Sequence, residues 1–318
     1  MREIVITTPT FGKFTEQPKV RLREAGYTLT HFEQSKVTEA DILSKVGNDT
    51  IAIITGIEPI TAKIMDASPN LKAIAKHGIG VDNIDLQAAK ERGIGVYNTP
   101  GANADAVADL AVGFMFVLAR DIVQVNRAVL EGSWPRHFGS SVWGATLGVL
   151  GFGAIGKKTA LRGRGLNMRV LAYDPYLDVK FSQAHGIEQA GIEDILKSSD
   201  FLTIHMPLTG ETLNMISAKE LCLMKKTAFI INTARGGIIN ESDLYAALKD
   251  KVIAGAALDA FESEPPADRS LLELPNVVST PHMGGYTYEA INNMSNGASD
   301  TVIAVLSGNA VPNRIVYS

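Results

Sequence analysis

The chain has 318 residues, 46% of them apolar, a net charge of −4 at neutral pH and one cysteine. This is enough for two cores of ordinary domain size, without a basic block to serve a nucleic-acid surface or an apolar run of the ~18 residues that cross a bilayer. With Cys222 alone no internal disulfide can form, so the cytoplasm is the expected compartment, and the opening Met1-Arg-Glu-Ile-Val reads as a strand rather than a signal peptide.

The first hundred residues alternate short apolar runs with helical patterns, the signature of βα units and a mostly parallel sheet. Strands are expected over residues 3–7, 27–31, 50–54, 71–75 and 95–97, with helices around 18–25, 39–46, 61–67 and 86–91. Together they predict a complete small doubly wound domain. Asn98-Thr-Pro-Gly-Ala-Asn103 is a turn cluster, and the chain is expected to leave that domain there. Residues 104–120 then read as an apolar helix larger than one domain face needs, followed by the polar-aromatic arm Trp134-Pro-Arg-His-Phe138.

The most informative stretch follows the apolar run 146–150: Gly151-Phe-Gly153-Ala-Ile-Gly156, opening a helix over 154–166. Glycine at the first position permits a tight turn out of a strand, the second lets backbone approach a pyrophosphate, and the third lets helix and strand pack closely. The phosphates then meet the N-terminus of the helix, where free N–H groups favour negative charge. A strand over 169–173 ends at Asp174, whose carboxylate can accept both ribose hydroxyls of adenosine and would repel a 2′-phosphate; no arginine follows in Pro175-Tyr176-Leu177. The expected cofactor is NAD.

Further strands are expected over 201–205, 229–232, 254–258 and 277–279, and a polar helix over 288–306 that crosses back to complete the first domain. The fold class is therefore α/β, with two doubly wound parallel-sheet domains: a substrate domain of residues 1–99 and 287–318, and an inserted NAD-binding domain of residues 100–286, facing each other across a cleft. The lone Cys222, in the helical run 217–223, reads as a small core residue.

Three strand-end segments carry reactive side chains: Asn232-Thr-Ala-Arg235, Asp259-Ala-Phe-Glu262-Ser-Glu264 and Thr280-Pro-His282. Ligands gather outside the carboxyl ends of an open parallel sheet, so these loops are expected to converge with the glycine loop. Removing hydride from the carbon of a 2-hydroxy acid requires removing a proton from its oxygen, which suits a histidine. A carboxylate on the second ring nitrogen fixes the tautomer, and an arginine fork pairs with the substrate carboxylate. His282, Glu264 and Arg235 take those catalytic roles, with Glu262 competing for the acid. Of the remaining histidines, His77 abuts a loop next to a strand end, His205 ends a strand, and His31, His137 and His185 lie apart from site signals. No pair of residues has metal-ligand spacing, so no metal is expected.

Over essentially its full length the chain resembles the D-isomer-specific 2-hydroxyacid dehydrogenase family, on the motifs His77-Gly-Ile-Gly-Val-Asp-Asn-Ile-Asp85, Asn98-Thr-Pro-Gly, Gly151-Phe-Gly-Ala-Ile-Gly, Ile204-His-Met-Pro-Leu-Thr209, Asn232-Thr-Ala-Arg-Gly-Gly237 and Pro281-His-Met-Gly-Gly285. The resemblance implies a flavodoxin-like substrate domain, a Rossmann domain for NAD, and a homodimer in which the helix over 104–120 lies at the interface and Trp134 reaches toward the partner's cleft. It implies the catalytic set Arg235, Glu264 and His282. For the cofactor it implies Gly151, Gly153, Ala154, Ile155, Gly156, Asp174, His205, Pro207, Thr233, Ala234, Asp259 (facing the nicotinamide amide) and Gly284. For the substrate it implies Lys76, Asn103 and the backbone N–H groups of Ile79 and Gly80, the last two on the carboxylate.

Within the family the wording is most similar to D-3-phosphoglycerate dehydrogenases of the short type. Lys76 stands where such enzymes carry an arginine for the substrate phosphate, Ala154 replaces an arginine of the glycine loop, and Gly284-Gly-Tyr286-Thr differs from their Gly-Ala-Ser-Thr. 3-Phosphoglycerate is the leading substrate on this reading, paired with Lys76. Glyoxylate or hydroxypyruvate, or another small D-2-hydroxy acid, is the alternative, and a non-enzymatic NAD-sensing corepressor-like protein the rival of another class.

Overall fold

Alternating apolar runs and helical patterns fold as two α/β units in the computed structural model, which describes residues 2–34 and 36–315. The chain divides between Asn103 and Ala104 and returns between Gly284 and Gly285. Of the expected return segment, residues 316–318 lie outside the described residues.

The first unit begins with β1 (Glu3–Ile6), α1 (Gln17–Glu24), β2 (Thr28–His31), α2 (Glu39–Leu43), β3 (Thr50–Thr55), α3 (Ala62–Asp66), β4 (Ala73–Lys76), α4 (Leu86–Glu91) and β5 (Gly95–Tyr97). Its sheet is parallel in the order β2-β1-β3-β4-β5, the flavodoxin-like order. All six residues of the central β3 are buried, as expected of a parallel strand covered on both faces.

The second unit holds α5 (Ala104–Ala119), α6 (Ile122–Leu130), β6 (Thr146–Leu150), α7 (Ala154–Gly165), β7 (Arg169–Tyr173), α8 (Val179–Ala184), β8 (Glu188–Gln189), α9 (Ile192–Ser198), β9 (Phe201–Ile204), α10 (Ala218–Leu221), β10 (Phe229–Asn232), α11 (Glu241–Lys249), β11 (Gly255–Leu258) and β12 (Val277–Ser279). Its parallel sheet runs β12-β11-β10-β9-β6-β7-β8. Counted from β6, this is the Rossmann order with one strand added at the end, and the direction of winding switches between β6 and β9. α5 and α7 lie side by side, with Arg162 of α7 on Asp109 at 2.6 Å and on Asp105 at 3.1 Å, and Lys158 on Asp105 at 2.8 Å.

α12 (Tyr288–Leu306) then belongs to the first unit, as the expected return requires. The helix, expected to be polar, carries an apolar face. Ala290, Ile291, Met294, Ala298 and Val302 repeat at helical spacing and are buried. Thr287 caps its start by accepting from Ala290 N at 3.1 Å, a cap that contributes about 1 kcal/mol. Cys222 is exposed rather than in the core: it is the C-cap of α10, where the helical run ends after one turn.

Candidate active site

The glycine loop leaves β6 in a form only glycine allows. Gly151 has φ +92°, and a Cβ there would stand 2.6 Å from the His205 carbonyl carbon; at Gly156 a Cβ would stand 2.0 Å from the Gly151 oxygen. Gly153, by contrast, faces open space, with nothing within 4 Å of an added Cβ. It is the N-cap of α7 without any side-chain cap bond, so the N–H groups of Ala154, Ile155 and Gly156 in the first turn are presented to whatever occupies that space. Asp174, at the end of β7, is held beside this loop: its Oδ2 accepts from Phe152 N at 2.7 Å and its Oδ1 from Tyr176 N at 2.8 Å. Each oxygen keeps a lone pair for a hydroxyl.

At the ends of β9 and β10 two polar atoms are out of water with no partner: Nδ1 of His205 and Oγ1 of Thr233. The other nitrogen of His205 meets Thr203 Oγ1 at 3.0 Å, and burial pushes the imidazole down to about 3, so it is neutral at pH 7. Buried polar atoms are normally satisfied. Two orphans at the carboxyl ends of strands adjoining the switch point, beside a glycine loop with open space above an uncapped helix, fit a bound dinucleotide. Pro207 is exposed, its carbonyl accepting from Thr212 Oγ1 at 2.7 Å, and Ala234 is buried.

The three strand-end loops are built around side chains that face inward. Asn232 ends β10 buried; its Oδ1 accepts from Ala234 N at 3.0 Å and its Nδ2 donates to the Arg235 carbonyl at 2.8 Å, folding residues 232–235 into a side-chain-braced turn. Nη1 of Arg235 donates to the Ala234 carbonyl at 2.7 Å. Asp259, also buried, accepts from Thr280 Oγ1 at 2.5 Å and Met283 N at 2.7 Å through Oδ1, and from Gly284 N at 2.7 Å through Oδ2. These three bonds surround His282, whose backbone is left-handed at φ +54°. Histidine tolerates that region better than most residues.

Nδ1 of His282 lies 2.8 Å from Oε2 and 3.0 Å from Oε1 of Glu264. Burial pushes the Glu264 carboxyl up, but the hydrogen bond and charge of His282, the Phe261 N–H at 3.1 Å and the Arg235 charge outweigh it and hold Glu264 below its ordinary value. Of the two acids considered from the sequence, Glu264 thus meets His282. Glu262 turns to α11, where its Oε1 accepts from Glu241 N at 3.1 Å. Asn232 and Thr280 begin two of the strand-end segments but were given no role there, and Glu241 went unrecognised; only Asn232, an Asn ending an apolar strand, carried a turn signal.

In the first unit, Lys76 ends β4 buried. Its Nζ donates to the Gly56 carbonyl and, at 2.6 Å, to Asn83 Oδ1, while Asn83 Nδ2 donates to the carbonyls of Gly56 at 3.1 Å and Glu58 at 2.5 Å. His77 is a core residue: its Nε2 lies 3.0 Å from Ser295 Oγ of α12, and burial pushes it down to about 4. Gly78 is tied to Thr99, whose Oγ1 accepts from Gly78 N at 3.1 Å, and the half-buried Ile79 and Gly80 follow it; the Ile79 carbonyl accepts from Asn98 Nδ2 at 3.0 Å. Oδ1 of Asn103 is buried without a partner.

The sequence profile of the D-isomer specific 2-hydroxyacid dehydrogenase, NAD binding domain, matches residues 112–284. The chain is 42% identical to a hydroxypyruvate reductase of Thermotoga maritima, over 84% of this chain and 90% of that protein. It is 39% identical to a D-3-phosphoglycerate dehydrogenase of Methanocaldococcus jannaschii over 88% of this chain but 54% of that one, so it spans about half the length of that relative. The crystal structure of TT0316 protein from Thermus thermophilus is similar with a TM-score of 0.88 and 33% identity, covering 99% of this chain and 100% of that one. The chain belongs to the D-isomer specific 2-hydroxyacid dehydrogenases, NAD-dependent enzymes that act on CH–OH donors.

Proposed function

We propose that this enzyme moves a hydride between NAD and a short, unphosphorylated D-2-hydroxy acid, with glyoxylate and hydroxypyruvate as the oxo acids it reduces. NAD supplies the carbon that accepts or donates the hydride. With Nδ1 of His282 on Glu264, Nε2 is the nitrogen left to take the proton from the substrate hydroxyl, or to return it to the oxo oxygen. The Glu264 carboxylate stabilises the imidazolium formed in between and holds the ring. Arg235 pairs with the substrate carboxylate and polarises the oxo group.

The observation that carries the choice of substrate is the engagement of Lys76. Its ammonium is buried and bonded to Gly56 and Asn83, and turning it to a phosphate would take the ammonium from Asn83 Oδ1 and leave the Gly56 carbonyl with Asn83 Nδ2 alone. A hydrogen bond to a charged group contributes about 1.5–3 kcal/mol, so forgoing it should cost a phosphorylated substrate about tenfold or more in kcat/KM. NADH oxidation measured with glyoxylate, hydroxypyruvate, pyruvate and 3-phosphohydroxypyruvate should rank one of the first two highest. A preference for 3-phosphohydroxypyruvate would return the enzyme to phosphoglycerate.

The same enzyme is proposed to be a homodimer. None of the residues of α6 is buried, although Ile122, Val123, Val129 and Leu130 are apolar, and the following arm exposes Trp134 at 88% and Phe138 at 90%. Apolar surface gathered in this way marks an interface. Sedimentation velocity at micromolar concentration should give the mass of two chains, and a single monomer boundary would sink the assignment.

A further inference from the structure

Two acidic residues that take no part in the proton transfer are joined to each other in an unusual way. Oε1 of Glu241, the first residue of α11, accepts the N–H of Glu262 at 2.6 Å, and Oε1 of Glu262 accepts the N–H of Glu241 at 3.1 Å. Each carboxylate binds the backbone of the residue that carries the other. The pair thereby ties segment 261–264 to a helix that is itself anchored, since Leu244, Ala247 and Leu248 of α11 are buried.

The segment is gripped from its other side as well. A Cβ on Gly236 would lie 1.9 Å from the Phe261 carbonyl carbon and 2.3 Å from Glu262 N, so the backbone after Arg235 presses directly on it. The Phe261 ring is buried in the core, and the Phe261 N–H donates to Glu264 Oε1 at 3.1 Å. Keeping two carboxylates together works against the arrangement: burial pushes Glu241 up, the Glu262 N–H counters, and the Glu262 and Glu264 charges add to the rise. Charge-assisted bonds to two amides offset that repulsion.

We infer that Glu241 and Glu262 are positioning residues, a reciprocal carboxylate–amide latch that fixes segment 261–264 so that the Glu264 carboxylate meets Nδ1 of His282. The charges facing Glu241 are Glu262 and Glu264, and those facing Glu264 are His282, Arg235 and Glu241 itself. Displacements of the order of 1 Å in supporting structure can cost up to about a hundredfold in rate. The inference rests on the proton-transfer role proposed for His282.

The test compares Glu241→Ala, which removes the acceptor, with Glu241→Gln, which keeps an amide oxygen for the Glu262 N–H. Glu241→Ala should lower kcat about tenfold with KM for the oxo acid within about twofold. The alkaline limb of its kcat profile for oxo-acid reduction should also move to lower pH, because a displaced Glu264 no longer helps retain the proton on the imidazole. Glu241→Gln should recover most of the lost kcat and the original limb. NADH binding by fluorescence reports that each variant is folded, and Glu262→Ala serves as the parallel variant should Glu241→Ala fail that check. Unchanged kcat and pH profile in the alanine variant, or equal impairment in alanine and glutamine variants, would overturn the latch. His282→Ala is run beside them: no loss there overturns the underlying proton-transfer role, whereas loss there with Glu241→Ala unaffected overturns the latch alone.

Discussion

His282→Ala should lose about 10²–10⁴ in turnover and still bind NADH. The size follows from what the side chain does. With Nδ1 on the Glu264 carboxylate at 2.8 Å, the ring is oriented and its charged form stabilised, so the alanine enzyme loses both the proton carrier and its alignment. Cofactor binding should survive because the groups proposed to hold the dinucleotide, the glycine loop and Asp174, lie at β6, β7 and α7. The turn around residue 282 is held by Asp259 through residues 280, 283 and 284, and none of those bonds uses the histidine side chain. Stopped-flow NADH oxidation under single-turnover conditions, with NADH affinity from fluorescence, separates the two effects; undiminished turnover would mean that the proton travels by another route. The acid side has a definite sign. Glu264 is depressed in the folded protein, so the stabilisation from its pairing is present above the ordinary carboxylate range and fades only as pH falls through its lower folded value.

Gly156→Ala should have the second large effect, with affinity and stability falling together. The new methyl would stand 2.0 Å from the Gly151 oxygen and 3.4 Å from Val149, and the first of these is backbone that cannot swing aside. Overpacking of this kind costs about 1–3 kcal/mol, and the shift needed to relieve it moves the phosphate-facing loop. Gly153→Ala supplies the contrast. It meets nothing within 4 Å, so stability should be kept while NADH affinity falls, because the methyl occupies space left for the pyrophosphate. Urea midpoints measured without cofactor, beside NADH titrations, test the pair. A Gly156→Ala protein as stable and as tightly binding as the parent would refute the close-packing account.

How much could be read in advance depended on whether a feature was local. β5, β6, β7, β10, β12, α4 and α12 fall on the expected residues, because each is a short apolar run or periodic stretch bounded by its own turn residues. β4 is displaced toward Lys76, since an ammonium buried on Gly56 and Asn83 lets a charged residue end a strand that composition would close earlier. α6 went unread, and none of its residues joins the core whose periodicity announces a helix. The reactive residues were legible as types at strand ends. Glu264 was expected on His282 and lies there, but the partner of Glu262 was not legible: two positions away with the same chemistry, it is sent to α11 only by the folded chain. The bonds by which the two oxygens of Asp259 hold the turn around His282 were not legible either, since they are set by residues 21 to 25 positions away.

That turn is also where the chain leaves the second unit, since Gly284 is its last residue. Three donors within five consecutive residues converge on one carboxylate, so this stretch has no slack: an extra residue between Thr280 and Gly284 would break the registration of hydroxyl and amides with Asp259. Gly285, Tyr286 and the cap Thr287 then belong to the first unit. Insertion should therefore be least tolerated within these five residues, because an added residue there would carry His282 off its place opposite Glu264.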